Sequence, residues 1–196
     1  MPASSEVHGL VALMQIQASR SRARVGPSGD VVLLGDQDRS RWDDVLIEHG
    51  LAALVRGEAC LEGAAPGPYL VEAAIAACHA RARHAADTDW ARIAVLYDLL
   101  MQIAPSPIVA LNRAVAHGKT FGPERGLALT ATLVHEPALR AYPFLPSVRA
   151  AFFHELGRHD EAQAQSARAI ALTRNAKEKA LLHTRALAYA KSSDTP

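Results

Sequence analysis

Apolar residues recur along most of the chain at the three-to-four-residue spacing that lays one stripe down an α-helix. Val7, Leu10, Val11, Leu13 and Met14 follow this rule behind Ser4 and Ser5, which can cap the free amides of a first turn. The pattern then changes. Arg22–Val25 and Val31–Leu34 flank Gly26-Pro27-Ser28-Gly29-Asp30, which predicts two short strands around a turn. Such a hairpin is marginal alone in water and must lie against helices. Ser40 is placed to cap a helix through Trp42, Val45, Leu46 and Ile47, with Gly50 a point of bending before Leu51–Leu61. After a loop at Glu62–Gly67, Pro68 suits the first position of a helix carrying Leu70, Val71, Ala74, Ile75 and Cys78. Asp87 or Thr88 caps the next, which packs Trp90, Ile93, Ala94, Tyr97 and Leu100. Ser106-Pro107 and Gly122-Pro123 open two more, and residues 143–156, 160–172 and 175–189 complete the series.

A repeat runs through these helices. Ala114 and Gly126 recur as Ala150 and Ala162, both offset by 36 residues (150 − 114 and 162 − 126). Gly157 falls in a turn and Ala169 near the end of the following helix. Small residues at such positions let paired helices cross closely, as in tetratricopeptide repeats of about 34 residues. A looser copy covers Ala74–Pro105. The expectation is an all-α fold: a tetratricopeptide-like helical-pair solenoid with one small β-hairpin near the N-terminus. Residues 1–196 form a single helical domain in this reading. Residues 1–66 carry the N-terminal helices and hairpin, and residues 67–196 the repeats.

Charge and chemistry narrow the function. Twenty-one basic and 20 acidic residues leave a formal net charge of +1, without the basic excess of a domain that neutralises phosphates. Direct nucleic-acid binding is therefore not expected, and the clusters Arg20/Arg22/Arg24 and Arg81/Arg83/His84 read as solvated helix ends. No apolar run approaches the length of about 18 residues that spans a membrane. Cys60 and Cys78 show no paired spacing and read as buried thiols in a reducing cytosol, so the expected compartment is the cytoplasm. His154 and His159 lie five apart, about 140° around a helix, where a metal motif needs four. Cys78 and His79 are adjacent and point about 100° apart, so they form no local nucleophile–base pair with Glu72. No catalytic residue, metal or cofactor is expected.

Two polar stretches stand out. Asp36-Gln37-Asp38-Arg39-Ser40-Arg41-Trp42-Asp43 packs three acids, two arginines and a tryptophan into eight positions. It reads either as a capped helix start with an arginine bridging the acids over a buried Trp42, or as a docking surface, since arginine and tryptophan most often anchor interfaces. Asn112-Arg113 interrupts an otherwise apolar helix and can hold a neighbouring helix end or line a peptide groove.

The run Asp36–Asp43 with Leu46-Ile47 and Gly50 resembles a stretch in the C-terminal extension of certain extracytoplasmic-function sigma factors. So do Gly67-Pro68-Tyr69 leading into Ala73–Ala80, Asp87–Trp90 with Leu96-Tyr97-Asp98, and Ser106-Pro107 with Ala110–Ala116. The closing stretch with Thr173, Asn175, Glu178, Leu182 and Arg185 is similar too, and the five matches keep their order. The resemblance implies a regulatory domain of an RNA polymerase sigma factor, separated from the two upstream regions that read the promoter. Expected partners are those promoter-binding regions, the polymerase, or a small regulatory protein. The candidate contact residues are Asp36, Asp38, Arg39, Arg41 and Trp42, then Asn112 and Arg113, then Asn175, Glu178 and Arg185. Two rival readings are a sensor or enzyme with a pocket near Tyr69, His79 and Trp90, and a free-standing tetratricopeptide-like scaffold.

Overall fold

The computed structural model describes residues 4–191, and they are mostly helical, with no strand among them. The chain divides into two compact units, Met1–Pro105 and Ser106–Pro196. The division expected at residue 66 falls inside the first unit.

In the first unit, α1 (Ser5–Ser19) packs on α2 (Asp44–Ala59) and α3 (Pro68–Arg81), and α3 packs on α4 (Trp90–Ile103). Its core joins Ala12 and Ile16 of α1, Ala53 and Leu54 of α2, and Leu70, Ala73, Ala74, Ala76 and Ala77 of α3. Alanine dominates because α3 is buried on nearly every side, from Leu70 through Cys78 apart from Glu72, and only small side chains let three neighbours approach it. The closest approach is at Gly9, where an added Cβ would lie 2.6 Å from the Leu70 amide nitrogen and 2.8 Å from its Cα. Glu6 seals the same junction, its carboxylate accepting from the Tyr69 and Leu70 amides at 3.1 Å each.

The helical spacing of α1 holds, but its buried face is Gly9, Ala12, Ile16 and Ser19. Val7, Leu10, Val11 and Met14 point outward, Met14 being 62 % exposed. Gly9 and Ala12 take the inward face because α1 sits nearly backbone to backbone on α3 at Gly9, while Ile16 fits against Gly50 of α2.

The expected hairpin is absent. One isolated antiparallel bridge joins Val25 and Val31, and Gly26 donates to the Asp30 carbonyl at 2.9 Å across the turn. A 3-10 turn at Ser21–Ala23 takes the first would-be strand and another at Leu34–Asp36 ends the second, so no ladder has room to grow. Nor does Ser40 cap α2. Ser40 lies in a 3-10 turn capped by Asp38, and Asp43 caps α2, accepting from the Leu46 amide at 3.1 Å. Gly50 does not interrupt α2. It is buried against Ile16 and the Ala12 carbonyl within an unbroken helix. Asp89, rather than Asp87 or Thr88, caps α4.

The second unit holds α5 (Pro107–Phe121), α6 (Pro123–Thr130), α7 (Phe144–Glu155), α8 (His159–Leu172) and α9 (Ala176–Lys191), each packed on the next in sequence. Ser106, ahead of Pro107, caps α5, and Asn175 caps α9. Ala114, Gly126, Ala150 and Ala162, the positions of the 36-residue repeat, are all buried. Phe152 of α7 presses its ring tip against both Gly118 of α5 and Gly126 of α6, so that neither position has space for a Cβ. Among the described residues no helix is long and apolar enough to cross a membrane.

Candidate interaction site at the end of the third helix

The last carbonyls of a helix have no partner inside it and must find one elsewhere. At the end of α3 they find Arg39. Its Nη1 donates to the carbonyls of His79, at 2.7 Å, and Ala82, at 2.6 Å, while Nη2 donates to the Thr88 hydroxyl at 3.0 Å. The guanidinium also stacks over Trp42, 5.0 Å from the ring centroid, and Arg20 approaches the same ring at 5.8 Å. Trp42 is buried at 5 % exposure, and His79 sets its ring edge-on to Trp90 at 5.3 Å. Arg39 thus joins the segment before α2, the end of α3 and the turn before α4. Its reach is inward to carbonyls and not across to Asp36, Asp38 or Asp43.

Burial and mutual repulsion set the charges here. Burial, then Arg24 and Arg39, lower the Arg20 pKa to about 10, so it stays cationic at neutral pH. His79 is driven down to about 4 by burial, with Arg20 and Arg39 adding to the effect, and is neutral at physiological pH. Asp38 is lowered by its hydrogen bonds from the Ser40 hydroxyl and amide. Burial pushes the Cys78 thiol up, the reverse of what an activated thiolate requires. Cys60 is exposed, contrary to the expected buried thiol.

The remaining candidates separate. Asp36, Asp38 and Arg41 are exposed, Arg41 donating to the Val25 carbonyl at a long 3.4 Å. They form the outward surface of the patch that Arg39 and Trp42 anchor from within. In the second unit Asn112 is exposed and Arg113 half-buried, beside the buried Leu111 and Ala114. The Asn175 side chain accepts from the amides of Lys177, at 2.9 Å, and Glu178, at 3.3 Å, so its first role is to start α9. Arg185 lines a narrow crevice with Ser147, Ala150, Ser166, Leu182 and Tyr189. Tyr69 and His79 sit ten positions apart on α3, about 15 Å along its axis, so Tyr69 does not share the His79–Trp90 locus.

Sequence reasoning missed Thr88 and the Ala82 carbonyl as partners of Arg39. The signal lay in the resemblance itself, since Thr88 belongs to one of the matched stretches and His79 to another.

Residues 1–58 match a family described as "Family of unknown function (DUF6596)". An uncharacterized protein of Rhizobium meliloti (strain 1021) is 44% identical over 181 residues, covering 92% of this chain and 42% of that protein. The chain thus spans less than half the length of that curated relative. No solved structure matches it.

Proposed function

We propose that the chain is the regulatory, protein-interaction domain of an extracytoplasmic-function RNA polymerase sigma factor, built as tetratricopeptide-like helical pairs and working in the cytoplasm. One observation carries the reading. Three of the five stretches that resemble such extensions, around 36–43, 73–80 and 87–90, meet at a single side chain, Arg39. Stretches far apart in sequence that resemble one family and converge on one locus behave as parts of one device.

The burial of Ala114, Gly126, Ala150 and Ala162 supports the helical-pair architecture, because these are the positions where such pairs cross. The greater length of the Rhizobium relative fits a domain that works attached to other regions. Partner contact falls to the exposed side chains Asp36, Asp38 and Arg41, with Arg39 and Trp42 holding them in place. The test measures binding of the purified chain to separated sigma promoter-binding regions and to core polymerase. Exchanging Asp36→Lys, Asp38→Lys and Arg41→Glu together should weaken binding by about tenfold, mainly by reversing interface charge. Absence of binding to every sigma region and to polymerase, with promoter output unchanged by the triple variant in the sigma-linked protein, would refute the reading.

A further inference from the structure

Two open grooves flank the segment that leaves α3. One, about 580 Å³, lies toward α4 and is lined by Cys78, Arg81, Arg83, His84, Asp89 and Arg92 among others. The other, about 480 Å³, lies toward the 36–44 segment, with Arg39 and Trp42 in its wall. Ala82, Arg83 and His84 line both and form the ridge between them.

The cations here exceed structural need. The end of α3 already has Arg39 on two of its carbonyls. Asp89 is engaged in capping α4, accepting from the Arg92 amide at 2.9 Å, and the charge of Asp87 acts on Arg39. Among the described residues the side chains of Arg81, Arg83 and His84 make no hydrogen bond or ion pair, and all three residues are exposed. Arg92 lies exposed on the opposite wall. The guanidiniums of Arg81 and Arg83 are unpaired, and with Arg92, whose side chain also hydrogen-bonds to the Cys78 thiol, they are placed around a concave surface to take carboxylates in bidentate fashion.

We propose that the groove between α3 and α4 binds an acidic peptide segment of a partner protein, with Arg81, Arg83, His84 and Arg92 receiving its carboxylates. Nucleic acid fits less well. It presents an unbroken line of phosphates, which Asp87 and Asp89 on the same rim repel, whereas a peptide can offer amide donors to those aspartates between its carboxylates. The chain's near-neutral net charge of +1 adds no general attraction for a polyanion. The inference does not depend on the sigma-factor reading, since it concerns the groove on the α4 side of the ridge and any acidic partner.

The test titrates the full chain into a fluorescein-labelled peptide of alternating Glu and Gly, read by polarisation. A Lys-Gly peptide, a short single-stranded DNA and inorganic phosphate serve as comparators. Saturable binding of the Glu-Gly peptide with Kd of about 10–100 µM is expected, weakening with salt as exposed ion pairs do. Arg83→Glu should weaken it by about tenfold and Arg81→Glu with Arg83→Glu by more, while tryptophan-monitored unfolding stays at the wild-type midpoint. If either reversal disturbs folding, Arg83→Gln takes its place, with about threefold weakening expected. No binding, or binding unchanged by these variants, would overturn the proposal. Tighter binding of the DNA, or displacement of the peptide by phosphate at equal concentration, would overturn it in favour of a phosphate site. Because the sigma test varies Asp36, Asp38 and Arg41 and this one varies Arg81 and Arg83, either can fail alone.

Discussion

Replacing Arg39 by alanine removes three hydrogen bonds and a ring contact at once. Hydrogen bonds to a charged group are typically worth about 1.5–3 kcal/mol each, but Arg39 is half-buried and water can reach part of what it leaves behind. Taking about 1 kcal/mol for each of the three and about 0.5 kcal/mol for the stack on Trp42 puts the loss near 3.5 kcal/mol, a large share of a typical domain's stability. Arg39→Lys should recover under half, because a point-like ammonium cannot span both carbonyls and Thr88 while stacking flat on the indole. The assay is built into the chain. Both of its tryptophans, Trp42 and Trp90, lie in the first unit, so their fluorescence during urea titration reports that unit alone. The midpoint should fall by about 1–2 M in urea. A midpoint within about 0.3 M of wild type would show that the guanidinium is dispensable and would undo the account of how α3 is finished.

Two further outcomes follow from the first unit. Gly9→Ala gains helix propensity of about 1 kcal/mol, yet its methyl would meet the Leu70 backbone at 2.6 Å, which cannot rotate aside. Net destabilisation of about 2–3 kcal/mol is expected from the same tryptophan titration, and an unchanged midpoint would contradict the packing of α1 on α3. His79 should make the fold sensitive to acid. The unfolded chain takes up a proton near pH 6.5 and the folded one only near pH 4, so the unfolded state binds more protons between these values and stability falls as pH drops through that window. The full shift corresponds to about 3 kcal/mol, and partial exposure of the ring reduces this to about 1–2 kcal/mol. Stability of the His79→Phe variant should vary less over that range, and an equal slope would place the acid sensitivity elsewhere.

Helix starts were legible wherever a proline or a short polar side chain marked them. Pro68, Ser106-Pro107, Gly122-Pro123 and Asn175 all open helices where expected. The errors arose where several capping residues compete within a few positions. Asp38, Ser40 and Asp43, like Asp87, Thr88 and Asp89, offer alternative starts, and the tertiary contacts of Arg39 decide among them by engaging Thr88. The face of α1 was misread for a different reason. Size ordinarily decides which apolar residues go inside, but where α1 meets the crowded α3 at Gly9 no side chain fits, and the one large residue on the buried face, Ile16, is seated against Gly50 of α2. As for the site, the polar run 36–43 announced itself, but the groove beyond α3 did not. Its arginines look like any solvated helix end until the carbonyls they would have served are seen to belong to Arg39.

The seat of Phe152 between Gly118 and Gly126 carries an implication for how this sequence can change over time. With the phenyl ring in place, neither glycine can gain a side chain, so drift at 118 and 126 is barred until position 152 has first become smaller. That first step opens a void in the second unit, and only a later methyl at 118 or 126 can fill it. Changes at the three sites are therefore ordered, and their effects measured singly will not sum.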